Sequence, residues 1–183
     1  MLLSLLRHRH VLILNQKPDK NPGQFKITAN RVGATTFVAP NLVEGKLEQG
    51  FQLYSSLETP FQRAVFMRFF ISEVHPFVDG NGRTARIMMN AELMAGGEER
   101  IIIPTVYRNN YLLSPKALSQ TEQPDPLIRT LDFAQRWTAA IPWGELSSTQ
   151  NVLESCHAFM DASLADAEGL TLKMPASSCD GNL

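Results

Sequence analysis

The sequence has few of the features that are typical of secreted proteins, of proteins stabilised by a structural metal ion, or of membrane-spanning proteins. It holds two cysteines in 183 residues, Cys156 and Cys179, which are too few for a disulfide framework and are not spaced as a zinc-binding pattern. We therefore expect reduced thiols and a cytoplasmic location. No apolar run approaches the roughly 18 to 20 residues needed to cross a bilayer. The run Arg7–His10 interrupts the apolar start of the chain, so this start is predicted to be an amphipathic helix and not a signal peptide.

The chain also lacks an excess of charge of either sign. Its 17 Lys and Arg residues against 18 Asp and Glu residues give a formal net charge of -1 and a pI of about 6.4. No basic surface broad enough for nucleic acid is expected, so phosphate recognition must be local. With 44% hydrophobic residues, the chain can bury a full core. We predict one domain over residues 1–169 and a flexible tail over residues 170–183.

Most segments have helical patterns, and one has the composition of a hairpin. Lys17–Gly23 is predicted to be a loop because it is rich in Pro, Asn and Gly. Phe25–Val38 is β-rich, and Gly33 can turn the chain within it. Helical patterns follow at 43–56, 60–74, 83–95, 124–140 and 149–167. Another element starts at Pro104, and Pro115 is expected to break or kink it.

The helix predicted at 60–74 has clear start and stop signals. Thr59, Pro60 and Gln62 combine an N-cap residue, proline at the first helical position and the glutamine of a capping box. The segment FQRAVFMRFFISEV is apolar on nearly every face, which is typical of a helix in the centre of a bundle. Pro76 disfavours helical geometry at His75. We therefore predict a mainly helical fold in which His75 ends the central helix.

The segment HPFVDGNGRTAR, residues 75–86, places two cations where a helix begins. The first turn of a helix has unpaired N–H groups and the positive end of the dipole, so each cation costs about 0.3 to 1 kcal/mol there. Gly80, Asn81 and Gly82 give a backbone whose N–H groups can converge on one anion. Arg83 and Arg86 are explained if that anion is a nucleotide triphosphate with its metal.

Two further side chains of this segment have chemistry that suits phosphate transfer. Asp79 is a lone carboxylate beside the anion turn, a common way to hold Mg²⁺ on a polyphosphate. His75 has the pKa range of a general base near neutral pH. Each residue taken alone has a structural explanation: a capping histidine, an ordinary Asp-Gly turn, or solvated arginines. Their order within twelve residues favours the functional interpretation.

The same segment resembles the signature of the Fic family, H-P-F-x-[DE]-G-N-G-R-x-x-R, and matches every specified position. The stretch Gly23–Pro40 is similar to the segment leading into the β-hairpin flap of that family, with Lys26 where Arg is common. The resemblance covers approximately residues 5–140. It implies the Fic fold: an all-α, mainly helical bundle around a central buried helix, with a small hairpin flap.

The resemblance implies an enzyme that transfers AMP from ATP to a Ser, Thr or Tyr hydroxyl of a target protein. His75 would deprotonate the hydroxyl, and Asp79 would hold Mg²⁺ on the phosphates. No membrane or nucleic acid is implied as a partner.

The remaining motif residues are implied to contact the phosphates. Asn81, together with the backbone of Gly80 and Gly82, would orient them. Arg83 and Arg86 would bind the β- and γ-phosphates and stabilise the pyrophosphate that leaves.

Residues outside the motif are implied to bind the target and the base. Thr35, Thr36 and Phe37 would lie on the flap, where a target segment could add as a strand. Tyr111 falls where the family often has an aromatic residue against adenine, although a half-buried helical tyrosine is an equal explanation. Leu112 and Ser119 depart from the residues common in that region, so the adenine pocket is the least determined part of the site.

Two other functions are compatible with the motif. One is a Doc-like protein kinase, in which the nucleotide is reversed; a Lys commonly replaces the second glycine there, so Gly82 argues against it. The other is a non-catalytic nucleotide-binding module of a toxin–antitoxin pair. ATP turnover by the chain and by a His75 variant separates these alternatives.

Many Fic proteins carry an inhibitory helix with the pattern [ST]-x-x-x-E-[GN]. No Glu precedes Glu44, and the nearest later candidate is Glu168, which follows Ser163 with four intervening residues instead of three. Glu168 is either the inhibitory residue or a charge at a helix end. We expect inhibition, if any, to come from an antitoxin or another partner.

Overall fold

Residues 2–33 and 35–176 are described by the computed structural model, and most of them lie in helices. The chain divides into two compact units, Met1–Glu98 and Glu99–Leu183, so the predicted domain over residues 1–169 spans both. Within the described ranges, every helix is too short or too polar to cross a bilayer.

In its described residues, the first unit consists of four α-helices and a two-stranded sheet. The helices are α1 (Leu2–Leu14), α2 (Val43–Tyr54), α3 (Pro60–Val74) and α4 (Asn81–Ala95), and the strands are β1 (Arg31–Val32) and β2 (Thr35–Thr36). The strands pair antiparallel, with Arg31 opposite Thr36 and Val32 opposite Thr35. Two 3-10 turns, Pro18–Lys20 and Pro40–Leu42, complete the unit. The mainly helical fold with one small hairpin is therefore confirmed.

Helix α3 is the centre of this unit, as its sequence predicts. The Thr59 hydroxyl accepts from the Gln62 backbone N–H (3.1 Å), and the Gln62 side chain accepts from the Thr59 N–H (3.1 Å). Of the residues in α3, only Gln62 and Glu73 are exposed. The helix packs most extensively against α4, and α2 approaches closely at Gly50, where a Cβ would overlap the Phe70 ring.

The core of the first unit joins all four helices to the loop between α3 and α4. Its buried members are Leu6, Val43, Leu47, Met67, Ile71, Val74, Phe77, Ala85 and Met88. Phe77 is the member that comes from the loop, and none of its surface is exposed. Packing of this ring therefore fixes the loop in the same core that holds the helices.

The second unit contains the remaining helices: α5 (Arg108–Thr121), α6 (Asp125–Ala139), α7 (Leu146–Ser155) and α8 (Ala162–Glu168), with a 3-10 turn at Thr105–Tyr107. Its core centres on Trp137, which is 1% exposed. Helix α5 continues through Pro115. The single helix predicted over 149–167 is instead two, because His157 takes a left-handed conformation (φ 63°) and the Asp161 side chain caps α8.

The segment after α8 is packed, although the sequence predicts a flexible tail from residue 170. Leu172 is 6% exposed in the core of the second unit. The Trp137 indole N–H donates to the Lys173 carbonyl (3.1 Å), and the Lys173 N–H donates to the Cys156 carbonyl (3.2 Å). Residues 170–173 are therefore held by packing and hydrogen bonds, while a flexible tail over residues 170–183 stays a prediction. Residues 177–183 of the predicted tail lie outside the described part of the chain.

Candidate active site

His75 lies where α3 stops, in the left-handed conformation (φ 51°, ψ 58°). Its N–H donates to the Ile71 carbonyl (3.0 Å), which closes the last turn. The following residue is Pro76, which disfavours a helical conformation at position 75, and the left-handed turn redirects the chain. The histidine side chain consequently stands at the junction between the central helix and the glycine-rich loop.

The loop is held in shape by Asn81, which is 2% exposed. The Asn81 side-chain oxygen accepts from the Phe77 N–H (2.9 Å), and its side-chain nitrogen donates to the Phe77 carbonyl (2.8 Å). Both polar groups of the amide are thus bound to the backbone of the loop. Asn81 closes the loop into a compact turn, while the Phe77 ring anchors it in the core.

Helix α4 begins at Asn81, two residues before the predicted start, because Gly80 serves as its N-cap in the left-handed region (φ 77°). The Thr84 N–H donates to the Gly80 carbonyl (2.9 Å), so the first turn is formed across the glycines. A Cβ at Gly82 would have no neighbour within 4 Å. The positive end of α4 therefore faces open space at Gly82, which is the geometry an anion needs.

The carboxylate of Asp79 lies beside this helix start. One oxygen accepts from the Gly80 N–H (2.6 Å), and the other lies 3.4 Å from an Arg83 guanidinium nitrogen. The two side chains are 40% and 41% exposed, so their ion pair is weak and can be exchanged for a ligand. Arg86 is also exposed, one turn further along α4. One carboxylate and one partly exposed guanidinium group thus border the helix N-terminus, with an exposed arginine one turn away.

The ring of His75 has one nitrogen available for proton transfer. Its Nδ1 lies 3.2 Å from the Ser72 carbonyl oxygen. Because a carbonyl oxygen only accepts, this contact places the proton on Nδ1 and leaves a lone pair on Nε2 that can accept a proton. Burial lowers the pKa of His75, the charge of Lys26 lowers it further, and the bond to Ser72 raises it. The neutral imidazole is therefore the favoured form near neutral pH.

The flap contacts His75 through Phe37. The two rings stack with centroids 3.8 Å apart and an interplanar angle of 14°. Thr35 and Thr36 form β2, and both are exposed. The structure thus brings Phe37 onto the His75 ring, and the two exposed threonines directly precede Phe37 in the chain.

Lys26 and Asn30 belong to the site, although the sequence analysis gave neither of them a role. The Lys26 N–H donates to the Pro76 carbonyl (2.9 Å), and the Lys26 ammonium donates to the Asn30 side-chain oxygen (2.6 Å). The Asn30 side-chain nitrogen donates to the Phe77 carbonyl (2.9 Å). Lys26 is 2% exposed, and burial lowers its pKa. The segment before the flap is thereby tied to the carbonyl groups of the loop.

A third residue without an assigned role is His10, which lies on α1 with none of its surface exposed. Its ring stacks on that of Phe77, with centroids 3.6 Å apart and an interplanar angle of 3°. Burial lowers the pKa of His10 despite the neighbouring Asp79. The available sequence signal was its spacing of four residues from both Leu6 and Leu14, which places it on the buried face of the helix.

Tyr111 and Glu168 lie in the second unit. Tyr111 is 3% exposed in α5, and Glu168 is exposed at the last residue of α8. The roles of Tyr111 in adenine binding and of Glu168 in inhibition remain predictions.

Family models, curated sequences and solved structures all show similarity of this chain to Fic proteins. The model of the Fic/DOC family matches residues 2–93. A protein adenylyltransferase, fic-1 of Caenorhabditis briggsae, is 33% identical over 109 residues, which are 57% of this chain and 22% of that protein. A structure of Fic-1 from C. elegans superposes with a TM-score of 0.62 at 25% identity, covering 73% of this chain and 40% of that one.

A second structural relative is BepC of Bartonella tribocorum, which was solved with bound AMPPNP. It superposes with a TM-score of 0.60, covering 72% of this chain and 73% of that one, and at 14% identity it shows the fold alone. The chain spans about a fifth of the length of the curated relative described above (22%). The family model covers half of this chain and includes every motif residue from His75 to Arg86. The chain belongs to the Fic/DOC family.

Proposed function

We propose that this chain transfers AMP from ATP to a Ser, Thr or Tyr hydroxyl of a target protein and releases pyrophosphate. The observation that carries the proposal is the hydrogen bonding of His75, whose Nδ1 lies 3.2 Å from the Ser72 carbonyl oxygen, so that Nε2 is left to act as the base. His75 ends α3 at the loop that leads to the start of α4. The adenylyltransferase name of the relative with 33% identity supports the same activity. A base next to an anion site is the arrangement that activation of a hydroxyl against a phosphate requires.

The reaction conserves atoms and electrons as follows. The Nε2 lone pair of His75 accepts the hydroxyl proton, and the hydroxyl oxygen forms a bond to the α-phosphorus. The bond from the α-phosphorus to the oxygen that bridges to the β-phosphate breaks, and pyrophosphate leaves with that electron pair. Arg83 and Arg86 stabilise its charge through charge-assisted hydrogen bonds.

Mg²⁺ is part of the proposal, with Asp79 as its protein ligand. Among the described residues, no group of three or more His, Cys, Asp and Glu side chains gathers into a metal site, so a cage made by protein alone is not the expected form. Mg²⁺ keeps several waters and phosphate oxygens and needs only one or two carboxylates, which the half-exposed Asp79 supplies. When bound, the ion would neutralise charge on the phosphates.

The contacts of the motif residues suggest how each one acts. Asn81 is bound on both sides to the loop backbone, so it orients the phosphates by fixing the loop. Gly80 lets the chain turn left-handed, and Gly82 leaves the space that a phosphate fills. The target segment would add as a strand along the exposed residues Thr35 and Thr36. The hydroxyl group of the target would then reach His75.

The wider setting of the enzyme is also a proposal. Tyr111 would pack against adenine, and a cytoplasmic location fits the small number of cysteines. An antitoxin or another inhibitory partner would limit activity, because the Glu168 segment has the wrong spacing for an inhibitory helix.

The test is transfer of label from ATP marked separately on the α- and γ-phosphates, with Mg²⁺ and lysate proteins as acceptors. The α label should become protein-bound, and the γ label should not. His75→Ala should abolish transfer and leave Mg·ATP affinity within about threefold, because the imidazole contacts the incoming hydroxyl and not the phosphates. His8→Ala is the matched control, since His8 is an exposed histidine of α1.

Stable γ label on protein would establish the kinase alternative. Nucleotide binding without transfer of either label would establish a non-catalytic binding module. Loss of Mg·ATP affinity in His75→Ala would remove His75 from the role of base.

A further inference from the structure

His10 is a buried polar residue that lies far from the motif in sequence and against it in space. The Gly23 N–H donates to its Nδ1 (2.9 Å), and its Nε2 lies 2.9 Å from the Asp79 carbonyl oxygen. A ring nitrogen that accepts a hydrogen bond carries no proton, so the neutral ring holds its proton on Nε2. Because the Asp79 carbonyl only accepts, the two bonds are compatible with one tautomer. His10 therefore donates to Asp79.

The ring fills the slot between α1 and the loop, so its position is fixed. One face stacks on Phe77 at 3.6 Å. A Cβ at Gly80 would lie 3.2 Å from Nε2, which shows how closely the loop backbone approaches the ring edge. Two hydrogen bonds, one ring face and one ring edge are thus engaged, and the imidazole has little freedom to move.

The Asp79–Gly80 peptide connects this ring to the Asp79 carboxylate. A peptide unit is planar, so fixing the direction of the Asp79 carbonyl also fixes the direction of the Gly80 N–H. That N–H donates to the Asp79 side-chain oxygen Oδ1 (2.6 Å). The hydrogen bond from His10 consequently sets the plane of the Asp79–Gly80 peptide, and the N–H of this peptide binds the Asp79 carboxylate.

We propose that His10 is a positioning residue for the site: through the Asp79–Gly80 peptide, its Nε2–H orients the Asp79 carboxylate toward the metal and phosphates. The proposal rests on the proposed function for the identity of the ligand. The orientation of the carboxylate itself does not depend on a ligand and can be measured without one.

Two substitutions separate the two bonds of the ring. His10→Gln places an amide nitrogen near the position of Nε2 and retains a donor for the Asp79 carbonyl. His10→Asn places an amide oxygen near the position of Nδ1 and retains an acceptor for the Gly23 N–H. Both variants lose the stacked ring and one hydrogen bond, so each is the control for the other. His8→Asn, at the exposed histidine of the same helix, controls for the general effect of the change.

The first measurement is exchange of the Gly80 amide proton by NMR in the ligand-free chain, with thermal unfolding in parallel. Both variants should lose similar thermal stability. His10→Gln should keep Gly80 exchange within about threefold of the parent chain, whereas His10→Asn should accelerate it at least about tenfold. Mutation of a group that holds a metal ligand in place typically lowers metal affinity by about 10- to 100-fold. His10→Asn should therefore weaken the Mg²⁺-dependent part of ATP binding, measured by calorimetry, about tenfold more than His10→Gln.

Equal Gly80 exchange in the two variants, or affinity losses that simply follow thermal stability, would reduce His10 to a packing residue and overturn the proposal. If the parent chain does not bind Mg·ATP while the Gly80 exchange pattern is as expected, the proposed function fails and the orienting bond stands. If His10→Asn does not fold, the ring ¹⁵N spectrum of the parent chain decides. A proton on Nε2 supports the proposal, and a proton on Nδ1 contradicts it.

Discussion

Gly80 and Gly82 flank Asn81 at the start of α4, and alanine at these two positions should change stability in opposite directions, with weaker Mg·ATP binding expected for Gly82→Ala. Gly80 has a φ of 77°, and a Cβ there would lie 3.2 Å from both the His10 ring and the Leu14 side chain. A residue with a Cβ costs about 1 to 3 kcal/mol in the left-handed region. Crowding adds to this, so Gly80→Ala should lower the free energy of unfolding by about 2 kcal/mol.

Gly82 lies within α4, and a Cβ there would meet nothing within 4 Å. Alanine at a compatible helical position restricts the unfolded chain and stabilises by about 0.4 to 1 kcal/mol. The added methyl group would occupy the open space in front of the first turn, where we propose that the phosphates bind. Gly82→Ala should therefore be slightly more stable than the parent chain and bind Mg·ATP at least about tenfold more weakly, a loss of about 1.4 kcal/mol.

The assays are urea unfolding, read as a change in midpoint at constant slope, and titration calorimetry with Mg·ATP. A stabilised Gly82→Ala that binds Mg·ATP as tightly as the parent chain would show that the phosphates do not lie at this turn. Unchanged stability in Gly80→Ala would refute the strain argument at the N-cap.

Further expected results concern charge, pH, capping and regulation. Arg83→Ala should weaken Mg·ATP binding and transfer together by about 10- to 100-fold, because a hydrogen bond to a charged group worth about 1.5 to 3 kcal/mol is lost; unchanged affinity in calorimetry would remove Arg83 from the site. Because burial lowers the pKa of His75, the transfer rate should stay constant from neutral pH to below 6.5 before protonation of the base reduces it. Lys26→Met should shift this acid limb of the pH–rate profile to higher pH, since it removes a cation that opposes protonation; a shift to lower pH would contradict the assignment. Thr59→Ala should cost about 1 kcal/mol of stability through loss of the capping box, with no change in Mg·ATP affinity. Glu168→Gly should leave auto-modification unchanged, and an increase of about tenfold, equivalent to about 1.4 kcal/mol, would show that Glu168 is inhibitory.

Local signals in the sequence were sufficient for α3 and for the order of chemical groups in the motif. The capping box at Thr59 and the proline after His75 mark both ends of α3, because each acts on backbone groups within four residues. The start of α4 was predicted two residues late, since glycine is a weak helix signal and the N-cap role of Gly80 depends on its left-handed φ. The sequence pattern also predicted a single helix in place of α7 and α8, because no residue near His157 indicates a left-handed conformation there.

The hydrogen-bond donors that hold the loop between α3 and α4 could not be predicted from the sequence, because they come from distant positions in the chain. The residues between α3 and α4 have no ladder or helix to satisfy their carbonyl groups, and buried carbonyl groups need donors. The Pro76 carbonyl receives the Lys26 N–H, the Phe77 carbonyl receives the Asn30 side chain, and the Asp79 carbonyl receives His10. The two side-chain donors, Asn30 and His10, are 47 and 69 residues away from their acceptors in the sequence. Patterns that repeat within a helix or strand do not connect positions so far apart.

The donors that satisfy these loop carbonyl groups come from one part of the chain, which lies outside the motif. All three come from the first 30 residues, and they donate to the Pro76, Phe77 and Asp79 carbonyl oxygens of the loop. At the start of α4, the space around Gly82 is open, since a Cβ there would meet nothing within 4 Å. Three carbonyl groups of the loop are thus satisfied by segments that the motif itself does not contain. The phosphate binding that we propose at the start of α4 therefore depends on these segments, because they hold the loop in the shape that exposes the helix start.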